Sequence, residues 1–191
     1  MKQWKCTVCG YIHEGPEPPD KCPVCGAGKD KFEEVVEEKA QEEATGLYGL
    51  ATGLMVKHKA HPIAVHLPNG LLPVTVLFLV MSFVFDAAGF DTAAFYNLVV
   101  VALAMPGVLI SGYVDWQAKY DGAVTDVFKR KIAMGVIVTA LSWALVLWRL
   151  LDADVAAAGE TSRYIFLVVH LAVLGAAGYA GDLGGKLVFN D

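Results

Sequence analysis

The sequence predicts a small metal-bound domain followed by an all-α transmembrane four-helix bundle, with both chain termini in the cytoplasm. Three observations carry this. All four cysteines fall within the first 25 residues, as two C-x2-C pairs. Residues 1–60 are polar and acidic, whereas residues 67–182 hold almost all the apolar runs. Basic residues gather in alternate loops between those runs. With 55% hydrophobic residues and a mean hydropathy of +0.48, the 191-residue chain is too apolar for an ordinary soluble domain. Net charge is −5, and no basic patch with interleaved aromatics is present, which excludes nucleic-acid binding.

Cys6, Cys9, Cys22 and Cys25 follow the pattern C-x2-C-x12-C-x2-C. Each C-x2-C is a knuckle that points two thiolates at one metal from a tight turn, and the glycine after each pair, Gly10 or Gly26, relieves the backbone there. Two knuckles give a tetrahedral four-sulfur site, which suits zinc or a single iron; spacing alone does not choose. The opening "MKQWKCTVCG" has no apolar leader segment, so the head is expected in the cytoplasm, where thiols stay reduced and a metal is favoured over disulfides.

The wider pattern does choose. Residues 2–34 resemble the short rubredoxin domain found at the end of rubrerythrins, through Trp4, Cys6, Cys9, Gly10, Tyr11, Ile12, His13, Glu14, Pro19, Cys22, Pro23, Cys25 and Phe32. The resemblance implies one iron cycling between ferric and ferrous, held by the four cysteines, with Trp4, Tyr11 and Phe32 as a miniature core. His13 matches a position that is not a ligand. So small a head depends on its metal for folding. The competing reading is a zinc ribbon with a structural role.

The expected domains are 1–35 for the head, 36–60 for a linker and 61–191 for the membrane part. "EEVVEEKAQEEA" (33–44) reads as a solvated acidic helix or spacer. "TGLYGLATGLMVKHKA" (45–60), broken by Gly46, Gly49 and Gly53, is too short to span; it is either an interfacial helix or a hinge.

Four runs approach the roughly 20 apolar residues that a span needs: about 68–86, 93–114, 132–151 and 163–181. The loop 86–92 has no basic residue, whereas 115–131 carries Lys119, Lys129, Arg130 and Lys131. Lys57 and Lys59 precede the first span and Lys186 follows the last. The positive-inside rule then places both termini in the cytoplasm, in an inner-membrane protein.

The membrane part is similar to a widespread bacterial four-helix family known only as a domain of unknown function. "HPIAVHLP" (61–68), "SGYVDW" (111–116) and "GDLGGKLVFND" (181–191) carry the resemblance, over about 58–191. Members often have a histidine near the start of span three, where this chain reads "FKRKIAMG". The four-helix plan is similar to that of small b-type cytochromes, which implies haem b.

Beyond the head, the histidines are His58, His61, His66 and His170. Ionisable groups inside spans are costly and usually functional. His170 lies well inside span four, about 10 Å from its outer end. It is either an axial haem ligand or proton relay, or a neutral imidazole bonded between helices. His61 and His66 fall near the cytoplasmic face, as cofactor ligands or interfacial caps. His66, His170 and His61 are thus the candidate haem-binding residues. His170 sits roughly 18 Å from the inner end of its span, so depth disfavours pairing it with His66 in straight helices. Met81 lies at a fitting depth for a His/Met couple. A second constellation of His61, His66, Asp115 and Asp182 offers imidazoles and carboxylates to a metal. The spans contain no Glu, however, and Asp115 and Asp182 serve equally as helix-end partners of Lys or Arg. Gly175, Gly178 and Gly181 permit close helix approach.

Three function classes follow. The first is electron transfer between the head iron and a haem in the bundle, with a cytoplasmic redox donor or acceptor and a link to quinone. The second is a peroxide or oxygen reductase with a His/carboxylate metal site at the cytoplasmic face. The third is a non-redox membrane protein with a structural zinc head. The first is favoured, in contact with the lipid bilayer and with a homo-oligomer left open; no nucleotide-binding loop or nucleophile triad is present.

Overall fold

The computed structural model describes residues 2–34, 47–157 and 159–189. Most of the expected acidic linker, 35–46, lies outside the described residues.

The head is a three-stranded antiparallel sheet. Strands β1 (Lys2–Cys6), β2 (Ile12–Gly15) and β3 (Phe32–Glu34) are ordered β2-β1-β3, with a single 3-10 turn at Lys29–Lys31. Register pairs Trp4 with His13 on one side and with Glu34 on the other. The Trp4 indole N–H donates to the Gly15 carbonyl at 3.2 Å, which closes the first hairpin over its own ring. Lys2 donates to Glu34 at 3.0 Å across the exposed edge, a contact of small worth.

Six helices follow: α1 (Leu47–Lys57), α2 (Ala60–Ala64), α3 (His66–Phe85), α4 (Ala88–Tyr120), α5 (Asp126–Leu151) and α6 (Ser162–Phe189). Among the described residues, four stretches are long and apolar enough to cross a membrane: Ala60–Phe85, Ala88–Tyr120, Asp126–Leu151 and Ser162–Leu187. They run past the apolar segments because polar residues continue the helices. "DWQAKY" extends α4 to Tyr120, and "DVFKRK" opens α5. Residues 47–57 form a helix despite Gly49 and Gly53, each costing about 1 kcal/mol against Ala.

The chain divides into two compact units. One comprises Met1–His61, Ser111–Lys131 and Asp182–Asp191; the other comprises Pro62–Ile110 and Ile132–Gly181. In the second unit, the buried positions recur at spacings of three and four. They are Leu72, Thr75, Leu79 and Ser82 on α3; Ala94, Leu98, Val101, Met105 and Val108 on α4; Val138, Ser142 and Leu145 on α5; and Phe166, His170, Val173 and Ala177 on α6. This is the seam of a left-handed helix bundle. Leu77, Val84, Leu103, Leu147 and Val168 are exposed on other faces, which suits lipid rather than water. The outer surface is thus as apolar as the seam, and packing rather than hydrophobicity holds the helices together.

Candidate metal centre

The two knuckles of the head have the same backbone plan. In the first, the Gly10 N–H donates to the Cys6 carbonyl at 2.8 Å, and the Cys6 N–H donates to the Tyr11 carbonyl at 2.8 Å. In the second, the Gly26 N–H donates to the Cys22 carbonyl at 2.9 Å, and the Cys22 N–H donates to the Ala27 carbonyl at 2.7 Å. Each turn closes on a left-handed residue, Gly10 at φ +80° and Gly26 at φ +74°. A side chain there would meet open space but strain the backbone, so the need is for conformation and not for room.

These turns bring all four sulfurs within 4.8 Å of one another. Cys6 and Cys25 Sγ stand 3.7 Å apart, and Cys9 and Cys22 Sγ 3.5 Å apart, too far for a disulfide. A tetrahedron of metal–sulfur bonds near 2.3 Å has edges of about 3.8 Å, so the donor set fits a four-coordinate thiolate metal. Cys6, Cys22 and Cys25 are buried and Cys9 is half-buried. Backbone N–H groups face the sulfurs as well: Tyr11 at Cys9, Val24 at Cys22 and Ala27 at Cys25. The hydrogen bond from Cys25, ahead of the other donors, draws the Cys9 thiol down to about 5. Burial pushes Cys22 up to about 11, and the hydrogen bond to Cys9, with burial, pushes Cys25 up. One thiolate thus forms readily and opposes ionisation of Cys22 and Cys25, a repulsion that a central cation offsets.

Residues 111–131 and 182–189 belong to the same unit as the head, and their apolar side chains join its core. Phe128 and Leu187 are buried in one cluster with the cysteines, and Trp116 and Tyr120 pack against it. Local sequence builds this arrangement. Helix α4 ends at Tyr120, and Asp121 and Gly122 adopt φ of +50° and +61°. The Gly122 N–H returns to the Trp116 carbonyl at 3.2 Å, and the Ala123 N–H to the Tyr120 carbonyl at 3.0 Å. The Trp116 indole N–H then donates to the Ala123 carbonyl at 2.9 Å, pinning the turn. Sequence reasoning missed these four residues. Its available signal was the Asp-Gly turn that folds Tyr120 back beside Phe128.

The other candidate residues each have partners of their own. His61 lies in α2, its Nδ1 3.3 Å from Ser111 Oγ and its ring so close to Gly112 that an added Cβ would stand 3.0 Å from it. The "HP" and "SG" pieces of the motifs therefore meet each other, and a side chain at Gly112 would press on the ring. His66 opens α3, is exposed, and donates from Nδ1 to the Pro62 carbonyl at 2.6 Å. His170 is 1% exposed, in the bundle seam. Its Nδ1 donates to the Phe166 carbonyl at 2.8 Å, and its ring lies edge-on to Phe166 at 4.5 Å. An apolar cavity of about 370 Å³ in the second unit is lined by aromatic and aliphatic side chains, with no imidazole or Met81 among them. In the second unit, His170 is enclosed by seam packing and His66 is exposed. His13 is half-buried beside Trp4, and His58 is exposed. Asp115 and Asp182 each take up a lysine four residues on, Lys119 and Lys186, both at 2.8 Å. Among the described residues, the four cysteines are the one group of three or more such ligands close enough to share an ion.

Comparison with known proteins finds two families along the chain. Residues 4–33 match the family described as "Rubrerythrin, rubredoxin-like domain", and residues 57–191 match "Predicted membrane protein (DUF2231)". The reverse rubrerythrin-1 of Clostridium acetobutylicum is 68% identical over 38 residues, covering 20% of this chain and 21% of that protein. Rubredoxin-2 of Chlorobaculum tepidum is 44% identical over 52 aligned positions, covering 18% of this chain and all of that protein. The rubredoxin of Peptoniphilus asaccharolyticus is 41% identical over 49 positions, covering 17% and 92%. The chain thus spans about a fifth of the reverse rubrerythrin and nearly all of the small rubredoxins, through its head alone. No solved structure matches the chain.

Proposed function

We propose, for a chain that belongs to the DUF2231 family of predicted membrane proteins and carries a rubredoxin-like iron-binding domain of the electron-transfer kind, that it is a membrane-anchored one-electron carrier. Cys6, Cys9, Cys22 and Cys25 are its four ligands. The observation that carries this is the convergence of four sulfurs at tetrahedral spacing on two matched knuckles.

An iron held there supplies a ferric/ferrous couple. The protein's part is to hold the geometry fixed, so that little rearranges as the charge changes. The N–H groups of Tyr11, Val24 and Ala27 stabilise thiolate charge, and burial of Cys6, Cys22 and Cys25 keeps water from three of the sulfurs.

The head works on the cytoplasmic side of the inner membrane. Lys119, Lys129, Arg130, Lys131 and Lys186 all belong to the unit that contains the head, which supports that side under the positive-inside rule. The four spans anchor it. No step is routed through a haem: His170 bonds the Phe166 carbonyl of its own helix and His66 the Pro62 carbonyl.

The test is to purify the full chain from iron-replete cells and count metals per chain. The expected result is one iron, a coloured oxidised form, and bleaching by one electron equivalent. A colourless protein with one zinc overturns the proposal.

A further inference from the structure

The sulfur-bearing face of the head carries an apolar surface that water would not tolerate well. Val8 and Val24, one within each knuckle, are 3% and 5% exposed. What covers them is part of this chain: the cluster that buries them contains Phe128 and Leu187, with Trp116 and Tyr120 packed around it. These four come from α4, α5 and α6, and the three aromatic rings among them lie close together. The Tyr120 and Phe128 rings are 4.9 Å apart, and Trp116 and Phe128 are 6.5 Å apart. Trp116 is tied to the turn through the Ala123 carbonyl. Tyr120 is within electrostatic reach of Cys9 and Cys25.

We propose that Trp116, Tyr120, Phe128 and Leu187 form a built-in cradle for the knuckle face of the head, and that Tyr120 and Phe128 are positioning residues that set the redox character of the metal site by excluding water from its sulfurs. The proposal rests on the iron reading above and adds to it. The head functions seated on the helix ends, and a soluble partner is denied the knuckle face. A cavity of about 250 Å³ remains between Gly26–Gly28 and Ala123–Asp126, so the seat is a cap with one open side. The sign of the effect follows from charge. Four thiolates with ferric iron carry −1, and with ferrous iron −2. Water favours the more highly charged form, so a drier site has the lower reduction potential.

The experiment uses the full chain in lipid nanodiscs. In the double variant Tyr120→Ala/Phe128→Ala, a chelator should strip the metal at least ten times faster, and the midpoint potential should rise. The ring-preserving pair Tyr120→Phe/Phe128→Tyr should restore both. Equal stripping rates and potentials in wild type and alanine variant overturn the cradle. A second measurement needs no variant. Ferric iron should broaden the methyl resonances of Leu187 and Ala123, which sharpen when zinc replaces it. Sharp signals in the ferric protein mean that the head is not seated, and the proposal fails. A chain that accepts only zinc defeats the iron reading instead, while the stripping rates still decide the cradle.

Discussion

The head and the span bundle treat buried polar groups in opposite ways. In the head, buried sulfurs from two distant turns point at one another, and their other neighbours are backbone N–H groups. In the bundle, three of the buried polar side chains turn back on their own helices. Thr75 donates to the Leu71 carbonyl, Ser82 to that of Leu79, and His170 to that of Phe166. A local bond to the preceding turn satisfies a polar side chain in a span without a partner from elsewhere. A cluster of thiols is satisfied by a cation. The contrast teaches that a shared ion site needs side chains from separate turns aimed at one point, which the head supplies through its four cysteines.

Losing one sulfur should break the comparison most severely. In Cys22→Ala the head should lose its metal and with it most of its structure, since metal binding in so small a domain is folding free energy, about 10 kcal/mol or more. Helical circular dichroism should stay close to wild type. A collapse of the helices as well would show that the two regions are not separable.

The next effect belongs to the bundle. Arg149 and Asp91 form an ion pair with side chains 17% and 14% exposed. Replacing Arg149 by Met strands a largely buried carboxylate, at about 3–5 kcal/mol. Thermal unfolding in detergent should shift down markedly, with the visible spectrum of the head unchanged.

His170→Leu sharpens the comparison more than it damages the protein. The seam loses an imidazole that bonds only its own helix among the contacts described, at about 1–2 kcal/mol. The head's midpoint potential should not move. Loss of a second chromophore in this variant would restore the haem expectation. The smallest effect is expected from Gly26→Ala, where φ is +74°. The strain is about 1 kcal/mol, and it should appear as faster metal loss with the same colour.

Much of this was legible in the chain itself, for identifiable reasons. A C-x2-C pair followed by glycine is a local signal, and two of them leave few ways to arrange four sulfurs. The four apolar runs are also local, and four membrane-capable helices contain them. Their ends were less legible, because hydropathy marks where lipid begins and not where a helix stops: Tyr120 ends α4 through the Asp121–Gly122 turn, well past the last apolar residue of the run. The histidines show the sharper limit. Residue type alone does not say whether His66 faces outward or His170 inward. The spacing Phe166, His170, Val173, Ala177 does place His170 in the seam, but a seam position is as much a packing position as a ligand position. The Asp121–Gly122 turn marks only where Tyr120 meets Phe128; the packing of residues 4–32 with residues 116–187 was not legible, because no local pattern encodes a contact across that separation.

A potentiometric titration of the full iron-loaded chain, followed by electron paramagnetic resonance, tests the central claim most directly. The account predicts one high-spin ferric signal per chain that disappears in a single one-electron wave and returns on reoxidation. A spectrum with no ferric signal from a metal-replete protein, or one that no reductant removes, would contradict it.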